Sequence, residues 1–122
     1  MSERKSILKD KSFLFAVRII KLYQFLVDNK KEYVISKQLL RSGTSIGAMV
    51  REAQNAESKK DFIHKLSISQ KECDESMYWL ELLKETKYID EQEFESINNE
   101  AIELLKMLRS AIITSKNNTH NS

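Results

Sequence analysis

Along four segments of this chain, apolar residues recur every three to four positions, the period of an α-helix with one buried side. The first segment runs from about Ser12, a candidate N-cap, to about Asn29. Projected at 100° per residue, its apolar positions Phe13, Phe15, Ala16, Val17, Ile19, Ile20, Leu22, Tyr23, Leu26 and Val27 cover an arc of about 220°. Arg18, Lys21 and Asp28 share the remainder with Leu14 and Phe25. A bundle helix needs a stripe of little more than ~100°. The pattern therefore predicts that this helix owns more apolar surface than a lone subunit can hide.

The second segment is predicted helical from near Ser36 to near Ala56. Ile35, Leu39, Ile46, Val50 and Ala53 share one face; Lys37, Arg41, Thr44, Ser45, Arg51, Glu52 and Asn55 share the other. The chain's two glycines, Gly43 and Gly47, fall inside it. A glycine within a helix costs about 1 kcal/mol relative to Ala. The expected compensation is close approach of a neighbouring helix, the packing use of small residues four apart.

Ser58 opens the third segment as an N-cap, with Asp61 in the first turn where a carboxylate suits the helix dipole. This helix runs to about Thr86, with Phe62, Leu66, Cys73, Met77 and Leu80 as its core stripe. Ile68, Trp79 and Leu82 form a second patch on its back, bordered by His64 and Glu75. That patch is a candidate subunit interface, since Trp often anchors such surfaces. Asp90 to Glu93 reads as a capping box that opens the fourth helix, whose stripe is Phe94, Ile97, Ala101, Leu104, Leu108 and Ala111.

Four helices joined by short links give an all-α fold, an antiparallel up-down-up-down four-helix bundle. Residues 1–11, with Arg4, Lys5, Lys9 and Lys11, are expected to be a flexible basic lead-in, residues 12–116 the bundle, and residues 117–122 a disordered tail. A length of 122 residues with no Pro fits one helical domain.

The net charge is only +2, but its distribution is uneven. Residues 1–60 carry thirteen Lys/Arg against six Asp/Glu, a net +7; residues 61–122 carry seven against twelve, a net −5. Two arrangements explain this asymmetry. Either a basic surface meets an acidic partner such as nucleic acid, or basic and acidic helices pair within or between subunits. Candidate phosphate contacts are Arg18, Lys21, Lys37, Arg41, Arg51, Lys59 and Lys60.

Other chemistry is sparse. One cysteine, Cys73, excludes an internal disulfide framework, and on the core stripe it acts as a small apolar residue. Bundle di-iron sites need paired Glu-x-x-His motifs; Asp61 to His64 is a lone, imperfect echo, and the other histidine, His120, lies in the tail. No metal or other cofactor is expected. Gly43 and Gly47 do not match a phosphate-binding loop and follow no strand. No apolar run approaches the ~20 residues of a membrane span, and Glu3, Asp10 and Lys11 break any signal-peptide core. A cytoplasmic protein with no membrane partner is expected.

Gln38 to Ala48, continuing through Val50 to Ala53, resembles the proteins encoded in 23S rRNA intervening sequences, also called the S23 ribosomal protein family. Asp61 to Leu66, Glu75 to Leu83, and the opening Phe13, Phe15 to Arg18 carry the same resemblance, which spans about residues 12–110. The family usually has Asn where Met49 stands. The resemblance implies a bacterial four-helix bundle that assembles as a ring-shaped homopentamer. It also implies kinship with the accessory protein of diversity-generating retroelements, which binds nucleic acid and a reverse transcriptase through basic surfaces. The sequence reading is therefore a non-enzymatic homo-oligomer that binds RNA or DNA through helices 1 and 2; the alternative is a protein-interaction scaffold that ignores nucleic acid.

Overall fold

The computed structural model describes residues 3–118, with side chains from residue 7 onward. Four helices fill it: α1 (Glu3–Lys30), α2 (Ile35–Gln54), α3 (Lys59–Glu85) and α4 (Glu91–Asn118). The turns between them are short, so consecutive helices are antiparallel neighbours and the bundle runs up-down-up-down. Among the described residues there is no strand. No helix among them is long and apolar enough to cross a membrane.

The core follows the helical stripes. Phe15, Ile19 and Leu26 of α1 meet Leu39 and Ile46 of α2, Leu66, Leu80 and Leu83 of α3, and Ile97, Leu104 and Leu108 of α4, all essentially without solvent exposure. Each such side chain contributes about 1.5–3 kcal/mol relative to its exposed state. Between α2 and α3 the buried side chains include small polar ones. Ser69 donates to the Ile46 carbonyl at 2.9 Å, and Ser76 Oγ lies 2.9 Å from Ser42 Oγ and 2.9 Å from the Glu72 carbonyl. Every buried side-chain N or O among the described residues has a partner, so these hydroxyls carry no desolvation penalty.

The glycines sit on the α1 side of α2. A Cβ on Gly43 would lie 2.8 Å from Ile19 Cγ1, and one on Gly47 would lie 3.2 Å from the backbone oxygen of Ser12.

The helix ends are set by side chains close in sequence. Ser58 is extended and its Oγ accepts the Asp61 N–H at 3.0 Å, opening α3. Asp90 Oδ1 accepts the Glu93 N–H at 2.7 Å, opening α4. The α3 end is a Schellman turn: Lys87 is left-handed at φ 66°, and the Tyr88 N–H reaches back to the Leu83 carbonyl at 2.9 Å.

Two boundaries differ from the sequence expectation. α1 begins at Glu3, so residues 3–11 are helical rather than a flexible lead-in. The reason is that the buried stripe continues upstream to Leu8, and Ser12 is buried within the helix, its hydroxyl donating to the Lys9 carbonyl at 3.1 Å. α4 includes Asn117 and Asn118, while residues 119–122 of the expected tail lie outside the described residues.

Candidate nucleic-acid interface

Positions 37, 41 and 51 fall on one side of a helix, and α2 turns that side away from the core. Lys37, Arg41 and Arg51 are all exposed there. None forms an ion pair among the described residues. From Lys37 to Arg51 the row rises through fourteen residue steps, about 21 Å of helix. The hydroxyls between the cations are occupied: Thr44 donates to the Leu40 carbonyl at 2.7 Å and Ser45 to the Arg41 carbonyl at 2.6 Å. The Asn55 amide donates to the Arg51 carbonyl at 3.1 Å. What this face offers a partner is therefore mainly positive charge.

Of the carboxylates beside these cations, Glu52 on α2 is paired to Lys65 of α3 at 3.2 Å, and Glu72 stands on α3. Glu72 has its carboxyl pushed above the ordinary range by burial and then by the neighbouring Glu75, while Arg41 pulls it back. Lys59 and Lys60 extend the cationic set around the α2–α3 turn, and both are exposed. They occupy the first turn of α3, where the helix dipole disfavours cations by some tenths of a kcal/mol. Local helix energetics does not account for two lysines there.

The other two candidates lie elsewhere. Arg18 faces α4, ion-paired to Glu100, hydrogen-bonded to Ser96 Oγ at 2.8 Å and 3.6 Å from Glu93. Lys11 makes a parallel pair with Glu103. Arg18 is thus neutralised by the α1–α4 seam. Lys21 is exposed and lines a cleft at the end of that seam. Lys37, Arg41 and Arg51 thus share one face of α2, and Lys59 and Lys60 stand at the start of α3, while Arg18 and Lys21 lie on α1.

Ile68, Trp79 and Leu82 are half-buried on the outer flank of α3. Trp79 packs partly on the core, donates to Glu75 at 3.3 Å and meets the Tyr78 ring edge-on at 5.1 Å. More apolar surface is bare on α1, where Phe13 is 53 % exposed, Leu14 62 % and Ile20 41 %. The wide apolar arc of α1 is the sequence signal for Phe13 and Ile20, whereas Leu14 stands outside that arc, among the polar positions. Among the described residues, no three His, Cys, Asp or Glu side chains come together as a metal-binding group.

Residues 4–110 match the family model for the 23S rRNA-intervening sequence protein. The chain belongs to the 23S rRNA-intervening sequence protein family. A solved relative agrees: the crystal structure of a protein with unknown function from the S23 ribosomal protein family of Bacteroides thetaiotaomicron VPI-5482 is 57 % identical, with a TM-score of 0.89, covering 89 % of this chain and 97 % of that one. No curated protein matches. Within this S23-family bundle, the Asp61 to Leu66 run that carried the resemblance holds Asp61, which helps to open α3, and Leu66, a core residue. Gly43 and Gly47 form part of the α1–α2 contact.

Proposed function

We propose that this family member is a non-enzymatic homo-oligomer, a homopentamer in the bacterial cytoplasm, that binds RNA or DNA through the outward cations of α2 and the α2–α3 turn. The observation that carries the reading is the contrast between two sets of cations. Lys11 and Arg18 are matched by carboxylates of α4, whereas Lys37, Arg41 and Arg51 have no ion-pair partner among the described residues. An unmatched row of this kind rewards a phosphate backbone irrespective of base sequence. The subunit number comes from the family resemblance, and self-association is supported by the bare apolar side chains of α1.

The test is a titration of labelled RNA across salt. Wild type is expected to bind at low salt and to weaken steeply between about 50 and 200 mM. The triple variant Lys37→Gln, Arg41→Gln, Arg51→Gln should flatten the salt slope by about two to three. Absence of binding at low salt, or binding indifferent to salt, overturns this mechanism.

The scaffold reading rests on the exposed Phe13, Leu14 and Ile20, which suit a protein surface as well as another copy. It predicts a captured protein partner together with no affinity for nucleic acid.

A further inference from the structure

The α1–α2 and α3–α4 turns lie at the same end of the bundle. There, a cleft of about 980 Å³ opens between the C-terminal half of α1 and the start of α4, within the roughly 300–1,000 Å³ range of small-molecule sites. Its walls bring together Lys21 and Lys30 of α1, Lys84 at the end of α3, and Lys87 in the following turn, around the ring of Phe25. Phe25 is 42 % exposed, on the side of α1 that also carries Arg18 and Lys21. The Lys30 ammonium lies 5.9 Å from its ring centroid. Tyr88 supplies a second aromatic wall, fixed by the Schellman turn that also holds Lys87 in place.

Three carboxylates share the cleft, and two of them are committed. Asp90 accepts the Glu93 N–H that opens α4, and Glu93 leans towards Arg18. Asp90 keeps its negative charge, so it and Glu91 stand against the lysines, of which Lys84 is 3.5 Å from Glu85, while Lys21, Lys30 and Lys87 make no ion pair among the described residues. The balance at the cleft is therefore positive, three lysines without an ion pair against Asp90 and Glu91, beside a part-exposed aromatic ring that the Lys30 ammonium overhangs. Aromatic faces interleaved with cations are the recognition surface of unpaired nucleotides: the base stacks and the phosphate finds an ammonium. A duplex buries its base faces and gains nothing from Phe25.

We propose that this cleft takes one unpaired nucleotide of a single-stranded nucleic acid, with the base stacked on Phe25 and the phosphate held by Lys21, Lys30 and Lys87. The proposal rests on the nucleic-acid reading above and adds the strand form to it. Lys30, on a flexible stem at the helix end, moves from the ring to the phosphate as the base arrives.

The test compares a single-stranded oligonucleotide, a duplex of the same length and a free nucleoside monophosphate at one salt concentration. The proteins are wild type, Phe25→Leu and Phe25→Trp. Leucine keeps the apolar surface and removes only the aromatic face, so folding and any subunit contact are preserved. Wild type should bind the single strand at least about five-fold tighter than the duplex. Phe25→Leu should lose that preference while keeping duplex affinity, and Phe25→Trp should restore it. Equal binding of both forms, or a preference that survives Phe25→Leu, overturns the cleft proposal and leaves phosphate binding by α2 standing. Binding of the monophosphate without the single strand assigns the cleft to a free nucleotide and also overturns it. If no nucleic acid is bound, both readings fall.

Discussion

Gly43 and Ile19 are packed so closely that no side chain fits between them: a Cβ at Gly43 would come within 2.8 and 2.9 Å of the two Ile19 Cγ atoms. Ile19 is fully buried. Alanine at position 43 gains about 1 kcal/mol in helix propensity but overpacks a filled core, which costs typically 1–3 kcal/mol. Gly43→Ala is expected to lower stability by about 1 kcal/mol in urea unfolding. In an Ile19→Ala background both Cγ atoms are gone and only the Cβ, 3.2 Å away, remains, so the same substitution should cost less or become neutral. A double-mutant cycle with no coupling between the two sites would show that the contact is not what keeps position 43 a glycine.

The α2 entrance is governed by Glu32, which is buried with its carboxylate turned onto the start of the helix. Its oxygens accept the N–H groups of Val34 at 3.2 Å, Ile35 at 3.0 Å and Ser36 at 2.6 Å. Burial by itself raises the pKa of this carboxyl, but the donors from Ile35, Ser36 and Val34 together hold it below its ordinary 4.5. A carboxyl lowered in the folded state stabilises above its unfolded value, and this contribution is lost as pH falls through the folded one. Glu32→Gln is expected to cost about 1–2 kcal/mol at neutral pH. The gap between wild type and Glu32→Gln should close as urea midpoints are followed downward from pH 4.5. A gap constant across that range would rule out the ionised cap.

How much of this was legible in the sequence depended on how local the cause is. Ser58 and Asp90 act within three residues of themselves, and both caps could be read directly. The four-helix bundle followed from the stripes, because the spacing of core positions is set by the helix itself. Glu32 was missed because a glutamate in a charged turn looks solvated; its burial depends on where α1 and α2 cross. The start of α1 was misplaced because Ser12 precedes an apolar run, although Leu8 already stood on the stripe of Phe15, Ile19 and Leu26. Among the described residues the two left-handed positions are Lys31 and Lys87, while both glycines lie inside a helix, so the usual glycine signal for a helix end is absent. For the candidate interface, sequence supplied the cations and could not sort them, because whether a cation is matched depends on which helix it faces.

Arg18 shows that sorting most directly. It stands on the same helix as Lys21, yet its guanidinium is held by Glu100, Ser96 and Glu93 of α4. These partners are part-exposed, so the pairing contributes only about 0.5–1 kcal/mol. Arg18→Met, which keeps the apolar stem, is expected to lower stability by that amount, and by less in high salt. Its salt slope for RNA should match wild type. A slope reduced by about one, the share of a single phosphate contact, would return Arg18 to the phosphate-binding set.

Cys73 lies at the centre of the bundle, its thiol donating to the Ala101 carbonyl at 3.2 Å. Burial, and then the charge of Asp74, push its pKa up to about 12. At pH 8 the folded protein holds almost no thiolate, so a thiol reagent should react only through unfolding. The reaction rate is expected to rise with urea in step with the loss of helix. Prompt stoichiometric labelling of the folded protein would contradict the buried position.

The apolar side chains of α1 decide between two candidate faces for self-association. Phe13 and Ile20 are seven residues apart, two turns of helix, and both are exposed on the same side. Trp79 on α3 is partly committed to its own core, so its removal would weaken the subunit as well as any contact it makes. Covering one phenylalanine or isoleucine contributes about 1.5–3 kcal/mol, enough to shift an association constant ten-fold or more. Phe13→Ser with Ile20→Ser is therefore expected to yield smaller species in sedimentation at concentrations where wild type is assembled. Helical content should be retained, because neither side chain supports the subunit's interior. Leu82→Ser tests the α3 flank in the same way. If Leu82→Ser dissociates the assembly and the α1 pair does not, the contact lies on α3; if wild type sediments as a folded monomer, neither face joins copies, and the bare surface of α1 belongs to a different partner.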